Sequence, residues 1–168
     1  MVKVYADVRE RASEVPRYLS ELGVTVVFKQ LQVGDYVIAG STVAERKSVG
    51  DLAKSVFDGR LFDQLSRLSR TVDRYFLLVE GELGRLRYLT SNYRSVLAAL
   101  YYVSVASRVP VVFTEGPRET AEVLRYLATK LQESSGALRS APVSRGKPMG
   151  TSISDWQVYV VSSLPGVG

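Results

Sequence analysis

Apolar positions along the chain alternate between short continuous runs and stretches with a period near 3.6, and the switches between the two mark out the elements. Residues 2–7, VKVYAD, predict a strand, and residues 14–23, EVPRYLSELG, predict a helix with Pro16 in its first turn and Gly23 just past its end. A strand is expected over 24–31, VTVVFKQL. YVIAG at 36–40 and TVAERK at 42–47 are rich in β-branched and aromatic residues and meet at the small Gly40 and Ser41, which predicts a hairpin. Over 48–59 and again over 60–72 the apolar residues return at helical spacing: Leu52 and Val56, then Leu61, Leu65 and Leu68. RYFLLVEG at 74–81 is a continuous apolar run of strand length, the pattern of a central strand covered on both faces. A helix over 92–108, a strand over 109–115 and a helix over 117–134 complete the order β-α-β-β-β-α-α-β-α-β-α. That order predicts an α/β fold, a mixed central sheet with flanking helices.

After Ser134 the periodicity stops. SSGALRSAPVSRGKPMGTS is rich in Ser, Gly, Pro and basic residues, so a flexible linker is expected over 134–150. Residues 151–168, TSISDWQVYVVSSLPGVG, predict one helix ending in a Gly-containing hairpin, too little to build a core of its own. One domain over 1–133 is therefore followed by a linker and a small appendage.

Composition removes several kinds of chemistry. Of the 168 residues 46% are hydrophobic, enough for one substantial core. No stretch reaches the roughly 18 uncharged apolar residues of a membrane span, and the N-terminus lacks the apolar run of a signal peptide, which predicts a soluble intracellular protein. There is no cysteine, so disulfides, thiolate zinc sites and cysteine nucleophiles are excluded. There is no histidine either, which excludes Ser-His catalysis and imidazole-bound metals. Any metal must be held by oxygen. The net charge of +5 and a pI near 9.5 favour an anionic partner such as nucleic acid.

One stretch gathers charge inside an apolar weave: GDYVIAGSTVAERKSVGDL, residues 34–52. Strand side chains alternate, so Glu45 and Lys47 share a face while Arg46 points the other way. Asp35, at the start of the preceding strand, converges with Glu45 across the hairpin. Two carboxylates and a lysine at a strand edge suit metal-assisted phosphodiester hydrolysis, with Mg2+ or Mn2+ held through oxygen. The alternative is an exposed ion pair worth under about 1 kcal/mol. The apolar neighbours Val33, Tyr36, Val37, Ile38, Val43 and Ala44 favour the first reading, because burying carboxylates without a cation is costly.

These residues resemble a known family. GDY…ERKSVGD is similar to the GDx(n)ERKx(3)D signature of the XPF family of structure-specific endonucleases, which has the restriction-endonuclease-like, or PD-(D/E)xK, fold. ADVRE at 6–10 resembles its V-D-x-R-E element, DGRLFDQLSRL its N-G-R-L-x-x-Q segment, FLLVEG its apolar strand ending in Glu, and SSLPGVG the start of its tandem helix-hairpin-helix module. The resemblance covers residues 1–133 as a nuclease domain plus the C-terminal fragment.

It implies Asp35 and Glu45 as metal ligands supported by Asp7 and Glu10, Lys47 as the catalytic lysine, and Arg46 and Asp51 as further active-site residues. Several positions keep a second reading. Asp7 fits a turn cap, Asp51 has capping-box spacing from Ser48, and Arg60 serves either a DNA phosphate or the solvated surface. Arg9, Arg60 and the hairpin glycines Gly166 and Gly168 are the expected DNA contacts.

The family implies cleavage of 3'-flaps, forks and related branched DNA near the junction, leaving a 3'-hydroxyl and a 5'-phosphate in repair and recombination. The chain resembles the short archaeal form, which continues through two helix-hairpin-helix motifs and a sliding-clamp tail. Because this chain stops at Gly168, weak DNA affinity with intact cleavage chemistry is expected. Apolar residues on more than one face of helix 92–108 (Val96, Leu97, Leu100, Tyr101, Val103, Val105) suit either a dimer interface or a helix buried within its own domain; the family resemblance implies a homodimer. A non-catalytic DNA-binding or scaffolding subunit of the same fold is the alternative function, and a Holliday-junction resolvase or restriction-type nuclease a second enzymatic one.

Overall fold

The computed structural model describes residues 1–137, with side chains described as far as residue 133. Its elements are β1 (Lys3–Asp7), α1 (Val15–Glu21), β2 (Thr25–Lys29), β3 (Tyr36–Ile38), β4 (Thr42–Ser48), α2 (Val49–Phe57), α3 (Arg60–Thr71), β5 (Arg74–Glu80), α4 (Leu86–Leu89), α5 (Tyr93–Tyr101), β6 (Val111–Thr114) and α6 (Pro117–Ala137). Short 3-10 turns occupy Val8–Ala12 and Leu83–Arg85, and a π-helical turn, Tyr102–Ala106, extends α5.

The strands form one mixed sheet in the order β2-β1-β3-β4-β5-β6. β1 runs parallel to β2 and antiparallel to β3, β3 is antiparallel to β4, and β4, β5 and β6 are parallel. Along β5, Leu77 and Val79 face a layer built from α2 to α5, where they meet Leu52, Leu61, Leu68, Val96 and Leu100. Phe76 and Leu78 face the other way, onto α1 and α6, with Leu19, Tyr36, Ile38, Ala121 and Leu124. A strand buried on both faces reads as a continuous apolar run, and this is the reason for the pattern at 74–81. Each of the fully buried leucines contributes about 1.5–3 kcal/mol, so both layers anchor the sheet. The fold is restriction-endonuclease-like.

Three differences from the sequence expectation have physical causes. The hairpin turns through Ala39, Gly40 and Ser41 rather than at Gly40-Ser41 alone, with Ala39 (φ 47°) and Gly40 (φ 81°) both left-handed. The helix expected over 92–108 stays α-helical only to Tyr101, because the chain widens into the π turn before the left-handed Arg108 (φ 55°) redirects it toward β6. α4 spans four residues and carries too little periodicity to be seen in sequence. The linker expected over 134–150 begins inside α6, because the helix runs on to Ala137; the rest of it, and the helix and hairpin over 151–168, lie outside the described residues. Among the described residues no helix is long and apolar enough to cross a membrane.

Candidate active site

The site lies where the sheet opens. β3 has only three residues, and its pairing with β1 and β4 ends at Tyr36, opposite Ala6 and Ala44. Ahead of it Asp35 alone bridges the gap: its carbonyl accepts from the Asp7 amide at 2.8 Å and its own amide donates to the Ala44 carbonyl at 2.9 Å. Its carboxylate takes over the role of a strand carbonyl, Oδ2 accepting from the Arg46 amide at 2.8 Å. Gly34 permits this approach. Its φ is +75°, and a Cβ there would sit 2.2 Å from Val43 Cγ1.

Alternation along β4 then sorts the charges. Glu45 and Lys47 share the face of Val43, toward α2 and α3, and Lys47 Nζ donates to Glu45 Oε1. Arg46 points to the α6 side and pairs with Glu80 and Glu10. Asp35 is 8% exposed and Glu45 1%. Burial, and next the neighbouring charge of Glu45, push the Asp35 carboxyl up to about 6. Two carboxylates are thus forced together in a nearly dry setting with one lysine to balance them. Among the described residues the second oxygen of each accepts no hydrogen bond.

That donor chemistry fits a hard divalent cation. Mg2+ keeps several waters and takes one or two protein carboxylates plus substrate oxygens, so a pair suffices. Among the described residues no group of three or more acidic side chains stands close enough to hold a metal. Asp7 and Glu10, the expected supports, each engage partners of their own. Asp7 caps the 3-10 turn: Oδ1 accepts from Arg9 N at 3.0 Å and Arg9 Nε at 2.5 Å, and Oδ2 from the Leu31 amide at 2.8 Å. Burial would raise its pKa, but these donors outweigh burial and hold it below the ordinary value. Glu10 Oε2 accepts from the Tyr36 hydroxyl and faces Arg46, and burial pushes its pKa up.

A cleft of about 390 Å³ opens over this edge, lined by Arg9, Glu10, Asp35, Arg46, Lys47, Ser48, Asp51, Arg60 and Gln64. A second, smaller recess on the Glu45 side is lined by Arg9, Gln32, Val33, Gly34, Glu45, Gln64 and Arg67. Asp51 takes the capping place: its amide donates to the Ser48 hydroxyl at 3.1 Å, which donates back to its carboxylate at 2.8 Å, and the residue also lines the cleft. Arg60, beside Asp58 at 3.9 Å, is largely exposed at the cleft mouth. Gly166 and Gly168 lie outside the described residues. Gln64, not singled out as a site residue in the sequence, borders both recesses and has a buried Oε1 with no hydrogen-bond partner. Its place in a DGRLFDQ segment on α3, one turn after Arg60, was the available signal.

Residues 6–127 match the family model of the ERCC4 domain. The chain belongs to the ERCC4 domain family. This ERCC4 chain is 44% identical over 169 residues to the 3'-flap repair endonuclease Xpf of Saccharolobus solfataricus, covering 100% of this chain and 72% of that protein. It is 38% identical over 82 residues to the DNA repair endonuclease XPF of Cricetulus griseus, spanning 49% of this chain and 9% of that longer protein. A solved structure of XPF from Aeropyrum pernix in complex with DNA superposes with a TM-score of 0.73 at 37% identity, over 100% of this chain and 76% of that one. The matched region includes Asp7, Glu10, Asp35, Glu45, Arg46, Lys47, Asp51, Arg60 and Gln64.

Proposed function

We propose that this chain is a divalent-cation-dependent endonuclease that cuts 3'-flap, fork and related branched DNA near the duplex-to-single-strand junction, working inside the cell in repair and recombination. The observation that carries the reading is the buried Asp35–Glu45 pair with Lys47 against it, at the edge of an open polar cleft. The similarity to an Xpf named as a 3'-flap repair endonuclease supports the substrate class.

Asp35 and Glu45 would hold Mg2+ or Mn2+. When bound, the cation supplies an acidified water and neutralises charge on the reacting phosphate. The chain's own groups do the rest. Asp35, aimed by the Arg46 amide, and Glu45, held by Lys47, present oxygens at a fixed separation. The Lys47 ammonium, largely buried, orients the attacking oxygen and offsets negative charge as it builds. Arg9, Arg60 and the Gln64 carboxamide steady the flanking phosphates at the cleft walls. A homodimer formed through the end of α5 completes the reading, with branched DNA and a sliding clamp as partners. Incubating end-labelled 3'-flap, 5'-flap, fork and plain duplex DNA with the protein and Mg2+ tests it. Preferential incision of the 3'-flap and fork is expected; equal cutting of all four, or cutting only of the 5'-flap, would contradict it.

A further inference from the structure

Arg46 spans the sheet. Its backbone amide donates to Asp35 Oδ2 at 2.8 Å, and its guanidinium is paired with two carboxylates. Nε and Nη2 form a two-pronged pair with Glu80 Oε2 and Oε1 at 2.9 and 2.5 Å, and Nη1 reaches Glu10 Oε2 at 3.4 Å. The carboxylates are themselves fixed. Glu80 Oε2 accepts from the Thr120 hydroxyl at 2.7 Å, and that hydroxyl meets the Thr114 hydroxyl at 2.7 Å. Glu10 Oε2 accepts from the Tyr36 hydroxyl at 2.5 Å. Thr120 is fully buried, Thr114 is 3% exposed and Glu80 7%. A guanidinium held in a two-pronged pair by one carboxylate and reached by a second is a rigid fork that fixes the peptide it hangs from.

We propose that Thr120, through Glu80 and Arg46, is a positioning residue that sets the aim of Asp35, with Tyr36 bracing the same arginine through Glu10. This rests on the nuclease reading above. The strand at this point has lost β3 as a neighbour, so the Arg46 amide is held by Asp35 instead of by a ladder partner. Its orientation then depends on how firmly the side chain is tied down across the sheet. Burial would lower the Arg46 pKa, and the Glu80 hydrogen bonds together with the charges of Glu10 and Glu80 reverse that and raise it.

The test compares wild type, Thr120→Val, Thr120→Ser and Tyr36→Phe, each shown to be folded at the assay temperature. Thr120→Val keeps the shape and removes the hydroxyl; single-turnover cleavage of a 3'-flap with Mg2+ should slow about five-fold or more while the KM for DNA stays within two-fold. Thr120→Ser should recover most of the rate, and Tyr36→Phe should fall between. Binding of Mn2+ alone, followed by electron paramagnetic resonance, reads the same aim without cleavage, and Thr120→Val should weaken it about three-fold or more. Unchanged rate and unchanged Mn2+ affinity in Thr120→Val would overturn the proposal, as would a Thr120→Ser protein as slow as the valine variant. A wild type that binds Mn2+ more tightly than Thr120→Val but cuts no DNA would refute the nuclease reading and leave the positioning standing.

Discussion

Asp35 does two jobs that pull against each other. It substitutes for a strand carbonyl in the ladder, which needs an acceptor, and it is buried beside Glu45, which penalises its charge. Its carboxyl moves from 3.8 to about 6, so between those values the folded protein holds a proton that the unfolded chain has released. Stability from this group is therefore present below about pH 4 and is lost as pH rises toward 6 in the cation-free protein. At 1.36 kcal/mol per pH unit, the loss is about 3 kcal/mol. Urea unfolding in EDTA at pH 4 and pH 7 should show Asp35→Asn gaining stability over wild type by roughly that amount across the interval; a difference independent of pH would contradict the raised value. The convergence of Asp35, Glu45 and Lys47 was legible because strand alternation is local. The partners of Asp7 and Glu10 were not. The Leu31 amide, the Tyr36 hydroxyl and the Arg46 guanidinium come from 24 to 36 residues away, and no spacing rule reaches them.

Elements show why the site is open. A three-residue β3 between longer neighbours leaves β4 without its ladder partner beyond Ala44, and Asp7, Asp35 and Glu45 sit at that opening. α2 then starts directly from β4, with Ser48 as its cap. Ser48→Ala removes that cap and frees Asp51; it should cost about 1 kcal/mol, read by denaturant unfolding, and a change near zero would show that Asp51 caps the helix without it. Element order was visible in the sequence because both sheet faces are covered and the helices on them keep strong apolar spacing. α4 and the two 3-10 turns were not, since three to five residues hold no period. The missed π turn follows from a local backbone widening at 102–106, which an apolar pattern such as Tyr102, Val103 and Val105 does not encode.

At the scale of the molecule, two surfaces among the described residues bear on the proposed function. The cleft is one; the end of α5 is the other, where Tyr101, Tyr102 and Val105 are 64%, 60% and 78% exposed while Val96, Leu100 and Val103 fill the core. Phe62 of α3 meets Tyr102 edge-on at 6.4 Å, so the apolar patch joins two helices. Such a patch favours a second copy of the chain. Sedimentation of wild type at micromolar concentration should give twice the monomer mass, and the Tyr101→Glu, Tyr102→Glu protein the monomer mass; a monomeric wild type would refute the homodimer. The central claim concerns chemistry at the cleft, and one measurement reaches it most directly: single-turnover incision of an end-labelled 3'-flap with Mg2+, by wild type and Asp35→Asn, each with an EDTA control. Metal-dependent cutting near the junction by wild type, reduced at least a hundred-fold in Asp35→Asn, is the result this structure predicts. Cutting that survives either EDTA or the substitution would contradict a cation held by Asp35 and Glu45, and no cutting by a wild type that still binds the flap would make the chain a non-catalytic subunit of the same fold.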